Sequence, residues 1–389
     1  MRLIATVIFL GVAAFAQTPP AATDQAKPLV ERLHLEPYKA SIQGLTEFGD
    51  RRQGTDRNRA AINWIEKQLK SYGCTNTERL TYDFQPGTTP PGGRGAGGRG
   101  TGRAGTRLRG QRGPTGVNND PLKQPDQKLR QLNEPDSVAG ERQEVYCTKV
   151  GKTHPEEMYI VSGHMDGIGW GEAANDDASG TAIVMELARI LSSPDVETER
   201  SIRFILWNNE ESGTNGAMAY VNQRKELQGK ESPAGSGKYP EPKWLGVIQH
   251  DMMLFDHGMP GKDGLPGREQ RAEADVNIEF QANSKMAAES ATLAWAVQAA
   301  NEKYATEYPA VVGPHMSNTD SMRFEDLVAS VSLRENERQS QIGAGWDPHW
   351  HQPTDLFVNF TDADFKLGLN AAQSTLGAVA QLAGAKVKP

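Results

Sequence analysis

Past residue 140 the chain alternates short apolar runs with stretches of helical period, and that alternation leaves few folds open. Strands are predicted at Met158–Ser162, Ile202–Trp207, Trp244–Gln249, Val276–Gln281 and Val328–Leu333. Helices are predicted at Ser179–Leu191, at about Ser284–Tyr304, and from an N-cap at Thr361 to about Ala383. Ahead of this series, Ile62, Ile65, Leu69 and Tyr72 recur at helical spacing behind the start signal Gly54-Thr55-Asp56, which predicts a packing helix over Asn58–Tyr72. Helices laid on both faces of a sheet in this order make a three-layer α/β sandwich.

With 389 residues the chain is long enough for one large α/β domain, and residues 17–389 are read as one. Forty-two basic and 49 acidic residues give a net charge of −7, which argues against a nucleic-acid-binding body. Residues 1–16 read as a signal peptide. Met1-Arg2 is a positive start, Leu3–Ala13 an apolar stretch, and Ala14-Phe15-Ala16 a cleavage site, so the mature chain is expected to begin near Gln17. The apolar stretch is shorter than the roughly 20 residues of a membrane span. A secreted or periplasmic location without a stable membrane span is therefore expected. Export permits a disulfide. Cys74 precedes the strand-like run Glu78–Phe84 and Cys147 lies inside Glu144–Lys149, so the two can pair across neighbouring strands or stay reduced and half-buried.

Two segments break the pattern. From about residue 85 to 138 the chain is rich in glycine, proline and arginine, has no apolar period, and is expected to be a disordered surface loop inserted between two strands. Arg94, Arg99, Arg103, Arg107, Arg109 and Arg112 give it six positive charges, with no acid between residues 85 and 119. A solvated insertion is the simpler reading, and contact with nucleic acid or an anionic envelope polymer the other. A smaller loop insertion is expected at about 228–243, where GKESPAGSGKYPEP has the composition of a turn-rich loop.

Open α/β sheets place their sites at the carboxyl ends of the strands, and acids and histidines gather there. His164 and Asp166 follow the strand MYIVSG; in this arrangement the imidazole can face a cleft while the carboxylate accepts its other N–H. Asn175-Asp176-Asp177-Ala178-Ser179-Gly180 opens a helix, where a carboxylate can serve a site or merely cap the helix. SIRFILW runs into Asn208-Asn209-Glu210-Glu211, and two adjacent glutamates after a buried strand repel each other unless a cation or a proton separates their roles. Asp251 ends LGVIQHDMMLF, and His351 lies in DPHWHQPTDLF with His349 as a rival two residues earlier.

His164, Asp176, Glu210, Glu211, Asp251 and His351 form an oxygen and imidazole set without thiolates, suited to zinc or a similar divalent ion and large enough for two. At these residues the sequence resembles the aminopeptidase Y family of co-catalytic zinc metallopeptidases, family twenty-eight. That family includes leucyl aminopeptidases, glutamate carboxypeptidases and glutaminyl cyclases. SGHMDG is similar to the family's GAHxDS segment, implying His164 as a ligand of one zinc and Asp166 as its partner. AANDDASG is similar to GADDNASG, with Asp176 in the place of the carboxylate that bridges both metals and Asn175 where the family often has aspartate. WNNEESG is similar to FxxEExG and implies Glu210 as general base and Glu211 as a ligand of the second metal. HDMM is similar to LDMxG and implies Asp251 on the first metal, and WHQPTD is similar to YHTPxD and implies His351 on the second. The segment SNTDSMRF departs from the family's S-D-H, because Ser321 follows Asp320 and the substrate-facing histidine usual there is absent.

The resemblance implies a three-layer αβα sandwich with a mixed, mostly parallel central sheet, as in zinc exopeptidases, and two divalent ions, Zn2+ first among them. It implies a peptide substrate and no required nucleic acid. On that resemblance the ions would activate a water and stabilise the tetrahedral oxyanion, while Glu210 would accept the water's proton and deliver it to the leaving amine. The resemblance favours an aminopeptidase; a metallo-carboxypeptidase, a glutaminyl cyclase-like enzyme and a non-catalytic binding protein are the alternatives on the same fold. A carboxypeptidase must offer a cation to a carboxylate. Arg323 and Arg334 lie where the pocket wall is expected, match no family motif, and are read as solvated. Met252, Met253, Leu254 and Phe255 suit an apolar pocket or plain core.

Overall fold

A computed structural model describes residues 24–85, 117–134, 136–255, 276–316, 318–335 and 347–388. The signal-peptide reading of residues 1–16 and the arginine run within 86–116 lie outside these residues. Helices α1 (Lys27–Val30), α2 (Leu35–Thr46) and α3 (Asp56–Ser71) come first. Thr55 caps α3 by accepting the N–H of Asn58, and Ile62, Ile65 and Leu69 bury one stripe of it. Strands β1 (Thr77–Phe84) and β2 (Gly140–Lys149) follow, with α4 (Gln127–Leu132) between them. Next come β3 (His154–His164), α5 (Gly180–Leu191), β4 (Val196–Glu197), β5 (Arg200–Trp207) and α6 (Asn215–Arg224). The chain continues through β6 (Lys243–His250), β7 (Val276–Glu279), α7 (Ala287–Tyr304), β8 (Ala310–Gly313), β9 (Ser330–Arg334), α8 (Asp362–Leu382) and β10 (Lys386–Val387).

Eight strands form one sheet in the order β1-β2-β5-β3-β6-β9-β7-β8, and β4 with β10 makes a separate two-stranded ribbon. Pairing is parallel for β5/β3, β3/β6, β6/β9 and β7/β8, and antiparallel for β1/β2, β2/β5 and β9/β7. The expected mixed, mostly parallel sheet is thus what forms. Alternate residues of its strands enter different cores. Ile202, Phe204 and Leu206 join the core built with α2, α3, α5, α7 and α8, whereas Ile205 and Trp207 join Tyr220 of α6, Trp244 and Phe324 on the other face. Both faces being covered, β5 reads in sequence as a near-continuous apolar run. Cys74 and Cys147 form a disulfide beside the β1/β2 ladder. No helix among the described residues is long and apolar enough to cross a membrane.

The reading of 85–138 as a wholly disordered loop is corrected at its far end. Residues 117–134 contain a 3-10 turn at Pro121–Lys123 and α4, capped by Asp120 and Asp126. Asn118, Gln124 and Asn133 are buried and bond to main-chain carbonyls and N–H groups of the body of the protein. Side-chain amides rather than an apolar stripe order this segment, so it has no hydrophobic period. Residues 228–242 hold no helix or strand and are anchored by Glu241, which is buried against Arg203, Tyr220 and Trp244.

Candidate metal centre

Strand register explains why distant acids meet. In β3 and β5, His164 pairs with Trp207, and in β3 and β6, Gly163 pairs with His250. The residues just past Trp207 and His250, Glu210–Glu211 and Asp251, are therefore delivered beside His164 at the carboxyl edge of three adjacent parallel strands. Asp176 comes from the turn Ala174–Ser179 that leads into α5, and His351 from the loop ahead of α8. Asp176 and Asp177 have non-helical backbone, and the peptide bond between them is cis.

Two donor groups share one residue. His164, Asp176 and Asp251 form the first and Asp176, Glu211 and His351 the second, with the donor atoms of each group within 4.8 Å of one another. Asp176 divides its carboxylate between them: Oδ1 lies 3.2 Å from His164 Nε2 and Oδ2 lies 3.0 Å from His351 Nε2. Asp251 Oδ1 is 3.8 Å from His164 Nε2, and Glu211 Oε2 is 2.9 Å from His351 Nε2. The other Glu211 oxygen, Oε1, is buried without a hydrogen-bond partner among the described residues.

The electrostatics are those of a cation site. Burial alone would suppress the His164 imidazolium, but Asp176 and Asp251 outweigh it and hold its pKa well above the usual range. His351 is lifted to about 10 by Glu211 and Asp176 against the same burial penalty. Glu211 is pushed up to about 7, chiefly by burial. Buried carboxylates facing imidazole nitrogens, one of them bridging, fit two divalent ions.

The supports correct one expectation. His164 Nδ1 lies 2.9 Å from the main-chain carbonyl of Asp166, while the Asp166 carboxylate is 3.9 Å away. A carbonyl only accepts, so Nδ1 carries a proton, and in the neutral ring that a metal ion requires the lone pair is on Nε2, toward the site. The carboxylate of Asp166 instead accepts the N–H of Glu210 at 3.0 Å, because the chain after β5 turns back over it. Asp177 takes the capping role, accepting from Gly180 N–H at 2.8 Å and from the N–H groups of His164 and Met252. Asn175 donates from one amide to Glu335 and Asp347, at 2.8 and 2.9 Å, and accepts from Leu254 N–H.

Other residues fall outside the centre. His349 meets Thr354 and the ring of Phe360 instead. Met252, Met253, Leu254 and Phe255 are buried, and the last three join the core built with α2, α3, α5, α7 and α8. Neither arginine is solvated: Arg334 is buried and paired with Asp251 at 3.0 Å, and Arg323 is half-buried.

Several contributors had no sequence signal. Arg51, buried with φ of 53°, donates to the carbonyls of Met165, Glu172, Ala173, Leu45 and Gly49, so one guanidinium fixes the His164 loop relative to the turn bearing Asp176. Asp355 accepts the N–H groups of Asn175 and Asp176 at 2.8 and 3.1 Å. Asn118 N–H donates to the carbonyl of His351, and Gln124 bridges the carbonyls of Trp170 and Pro353. Trp350 stacks on His351 with ring centroids 4.1 Å apart.

Parts of the chain resemble known proteins. Carboxypeptidase Q of Xenopus laevis is 32% identical over 99 residues, which are 25% of this chain and 20% of that protein. Aminopeptidase YwaD of Bacillus subtilis (strain 168) is 39% identical over 79 residues, 20% of this chain and 17% of that one. The matched stretches thus span about a fifth of the length of these curated relatives. In fold, the chain is similar to a zinc aminopeptidase from Bacillus subtilis, with a TM-score of 0.58 at 16% identity over 92% of this chain and 96% of the other. The model of Peptidase family M28 matches residues 144–367, a stretch that holds all of both donor groups, and the chain belongs to that family.

Proposed function

We propose that this chain is an exported zinc-dependent exopeptidase, an aminopeptidase in polarity, that removes N-terminal residues from peptides. The observation that carries the reading is the division of the Asp176 carboxylate between two imidazole-containing donor groups. His164, Asp176 and Asp251 would hold one Zn2+, and Asp176, Glu211 and His351 the other. When bound, such ions supply Lewis acidity toward the scissile carbonyl and the attacking water.

The chain's own residues do the rest. Glu210 belongs to neither donor group yet adjoins Glu211, so its carboxylate is free to accept a proton from the attacking water and return it to the leaving amine. Its main chain is fixed by Asp166, which limits how far that carboxylate can wander from the reacting atoms. His164 Nδ1 is held by a carbonyl, so the ring presents Nε2 without adjustment. Membership of the family and the named aminopeptidase relative support the polarity. The similarity to carboxypeptidase Q supports a metallo-carboxypeptidase as the second reading. The apolar start of the chain and the Cys74–Cys147 disulfide support export, since disulfides persist in oxidising compartments.

The test is hydrolysis of aminoacyl-arylamides alongside N-blocked dipeptides, with chelator and then with zinc restored. Cleavage of the free-amine substrates, lost with chelator and regained with zinc, is expected. Cleavage of the N-blocked peptides alone reverses the polarity, and inactivity on both with zinc bound removes the exopeptidase reading.

A further inference from the structure

We propose that Arg323 recognises the free α-carboxylate of the leaving residue, so that the preferred substrates are peptides whose scissile bond is their last, dipeptides first among them. The proposal rests on the exopeptidase reading and deepens it. Arg323 ends the 3-10 turn Asp320–Arg323 and is half-buried, with Nε donating to Thr214 Oγ1 at 2.5 Å and Nη2 to the carbonyl of Gly213 at 2.7 Å. Both acceptors are neutral. No carboxylate lies within 4.0 Å of the guanidinium among the described residues, and Nη1 makes no hydrogen bond there.

The contrast with Arg334 gives this weight. Arg334 is buried between Asp251 at 3.0 Å and Glu279 at 3.4 Å, so its charge is balanced inside the protein. Asp320, Glu210 and Glu325 act on Arg323 only at longer range, and a partly desolvated guanidinium held by neutral groups remains an anion receptor.

Its location selects the anion. Gly213 and Thr214 donate their N–H groups to the Glu210 carbonyl at 2.7 and 2.8 Å, so Arg323 is tied to the one turn that carries Glu210 and Glu211. Glu210 is the residue that hands a proton to the leaving nitrogen. The leaving residue must therefore lie on this side, and its α-carboxylate is two bonds from that nitrogen. In a longer peptide the same position carries a neutral amide, which loses the charge-assisted contact. Ser321 does not compete for this role, because it is buried and donates inward to Met316 Sδ at 3.0 Å.

The experiment compares alanyl-alanine, its C-terminal amide, an N-acetylated alanyl-alanine and an alanyl-arylamide on the zinc-loaded protein and on R323A, R323Q and R323K. R323Q keeps one amide donor, at the position of Nε facing Thr214, but no charge, and zinc content and melting temperature are recorded for each variant. Wild type is expected to favour the free acid over the amide by about tenfold or more in kcat/KM, a margin of the size that one charge-assisted hydrogen bond provides. R323A and R323Q should lose that margin mainly through KM, falling far more on the free acid than on the amide and the arylamide, and be partly rescued in R323K. An Arg323-dependent cleavage of the N-acetylated peptide supports the same recognition with carboxypeptidase polarity. Equal losses on all substrates reduce Arg323 to a brace for residues 213–214, and a wild type indifferent to acid and amide overturns the proposal. Inactivity of zinc-loaded wild type on every substrate instead rejects the exopeptidase reading itself.

Discussion

The carboxylate of Asp166 accepts the main-chain N–H of Glu210 at 3.0 Å, and the carbonyl of the same Asp166 holds His164 Nδ1 at 2.9 Å. One residue therefore serves the proton-accepting glutamate through its side chain and a metal-facing imidazole through its backbone. The turn it stabilises is an unusual one, since Asn209 sits at φ of 66°, a left-handed conformation that asparagine tolerates better than most residues.

That division makes Asp166→Ala informative. The carbonyl that orients His164 survives the substitution, while the acceptor for Glu210 is lost. Zinc content should stay near that of wild type, and kcat should fall by about 10–100-fold, the range typical of supporting residues. Zinc titration beside steady-state kinetics checks this; a fall in zinc affinity larger than the fall in kcat would return Asp166 to the imidazole.

Glu210→Gln separates the base from the ligands. Glu210 stands outside both donor groups, so both ions should remain, while turnover drops by about 10²–10⁴-fold for want of a proton acceptor. Asp176→Ala, which removes the shared carboxylate, should instead lose zinc from both groups. Metal analysis after gel filtration distinguishes the two variants, and near-normal hydrolysis by Glu210→Gln would remove it from the reaction.

Much of this site was legible because its residues sit at strand ends, where one-dimensional apolar runs betray their own carboxyl termini. SIRFILW announces β5 and places Glu210 just beyond it, and the three-residue advance from His250 to the core segment Met253–Phe255 passes Asp251 in the same way. The sheet's layering was readable at β5, whose apolar run follows from cover on both faces, and less so at β9, where Ser330, Ser332 and Arg334 interrupt it. The supports were not. Arg51 bonds only to carbonyls, which every residue possesses, so no partner residue type marks it. Gln124 lies in a polar segment whose order comes from amide contacts more than 200 residues away in the chain, at Pro353. The Asp166 carboxylate was assigned to the imidazole because spacing cannot tell a side-chain oxygen from the carbonyl of the same residue.

Gln124 should matter to metal binding without touching a metal-facing side chain. It donates to Trp170 and Pro353 at 2.8 and 2.9 Å, joining the loop ahead of Asp176 to the loop that bears His351, whose own Nδ1 lacks a hydrogen-bond partner among the described residues. Gln124→Ala leaves two buried carbonyls without donors, a loss of about 1–3 kcal/mol. Zinc should then leave in two phases under chelator, the faster phase belonging to the His351 group. A single phase matching wild type would mean that the 117–134 segment only covers the protein.

The Cys74–Cys147 bridge closes a loop with a sequence separation of 73 residues, which contains the whole of the glycine-rich stretch 85–138. A loop of that length restricts the unfolded chain strongly, and the chain-entropy relation gives about 4 kcal/mol. Replacing both cysteines by serine should lower the denaturant midpoint accordingly while leaving kcat little changed, because neither cysteine touches the donor groups. An unaltered midpoint would show that the insertion is already constrained in the unfolded state.

Asp347 gives the metal-free protein a pH-dependent stability. It is fully buried and, chiefly through burial, its carboxyl is raised from the ordinary aspartate range to about 7, with Asp176 adding repulsion and Asn175 and the His349 N–H opposing it. A group that binds its proton more tightly when folded contributes stability that is fully present below the unfolded pKa of about 4 and is lost as pH rises through about 7. Glu335, which shares the Asn175 amide, is raised in the same direction by burial and by Asp347. Chelator-treated wild type should therefore melt several degrees lower at pH 8 than at pH 5. Asp347→Asn removes this carboxyl and relieves Glu335, so its melting temperature should start lower, from the lost acceptor for one of two N–H partners, but fall less over the same interval. Scanning both proteins at pH 5, 6, 7 and 8 tests this, and parallel slopes would mean that Asp347 is ionised throughout and that its neighbours already balance its charge.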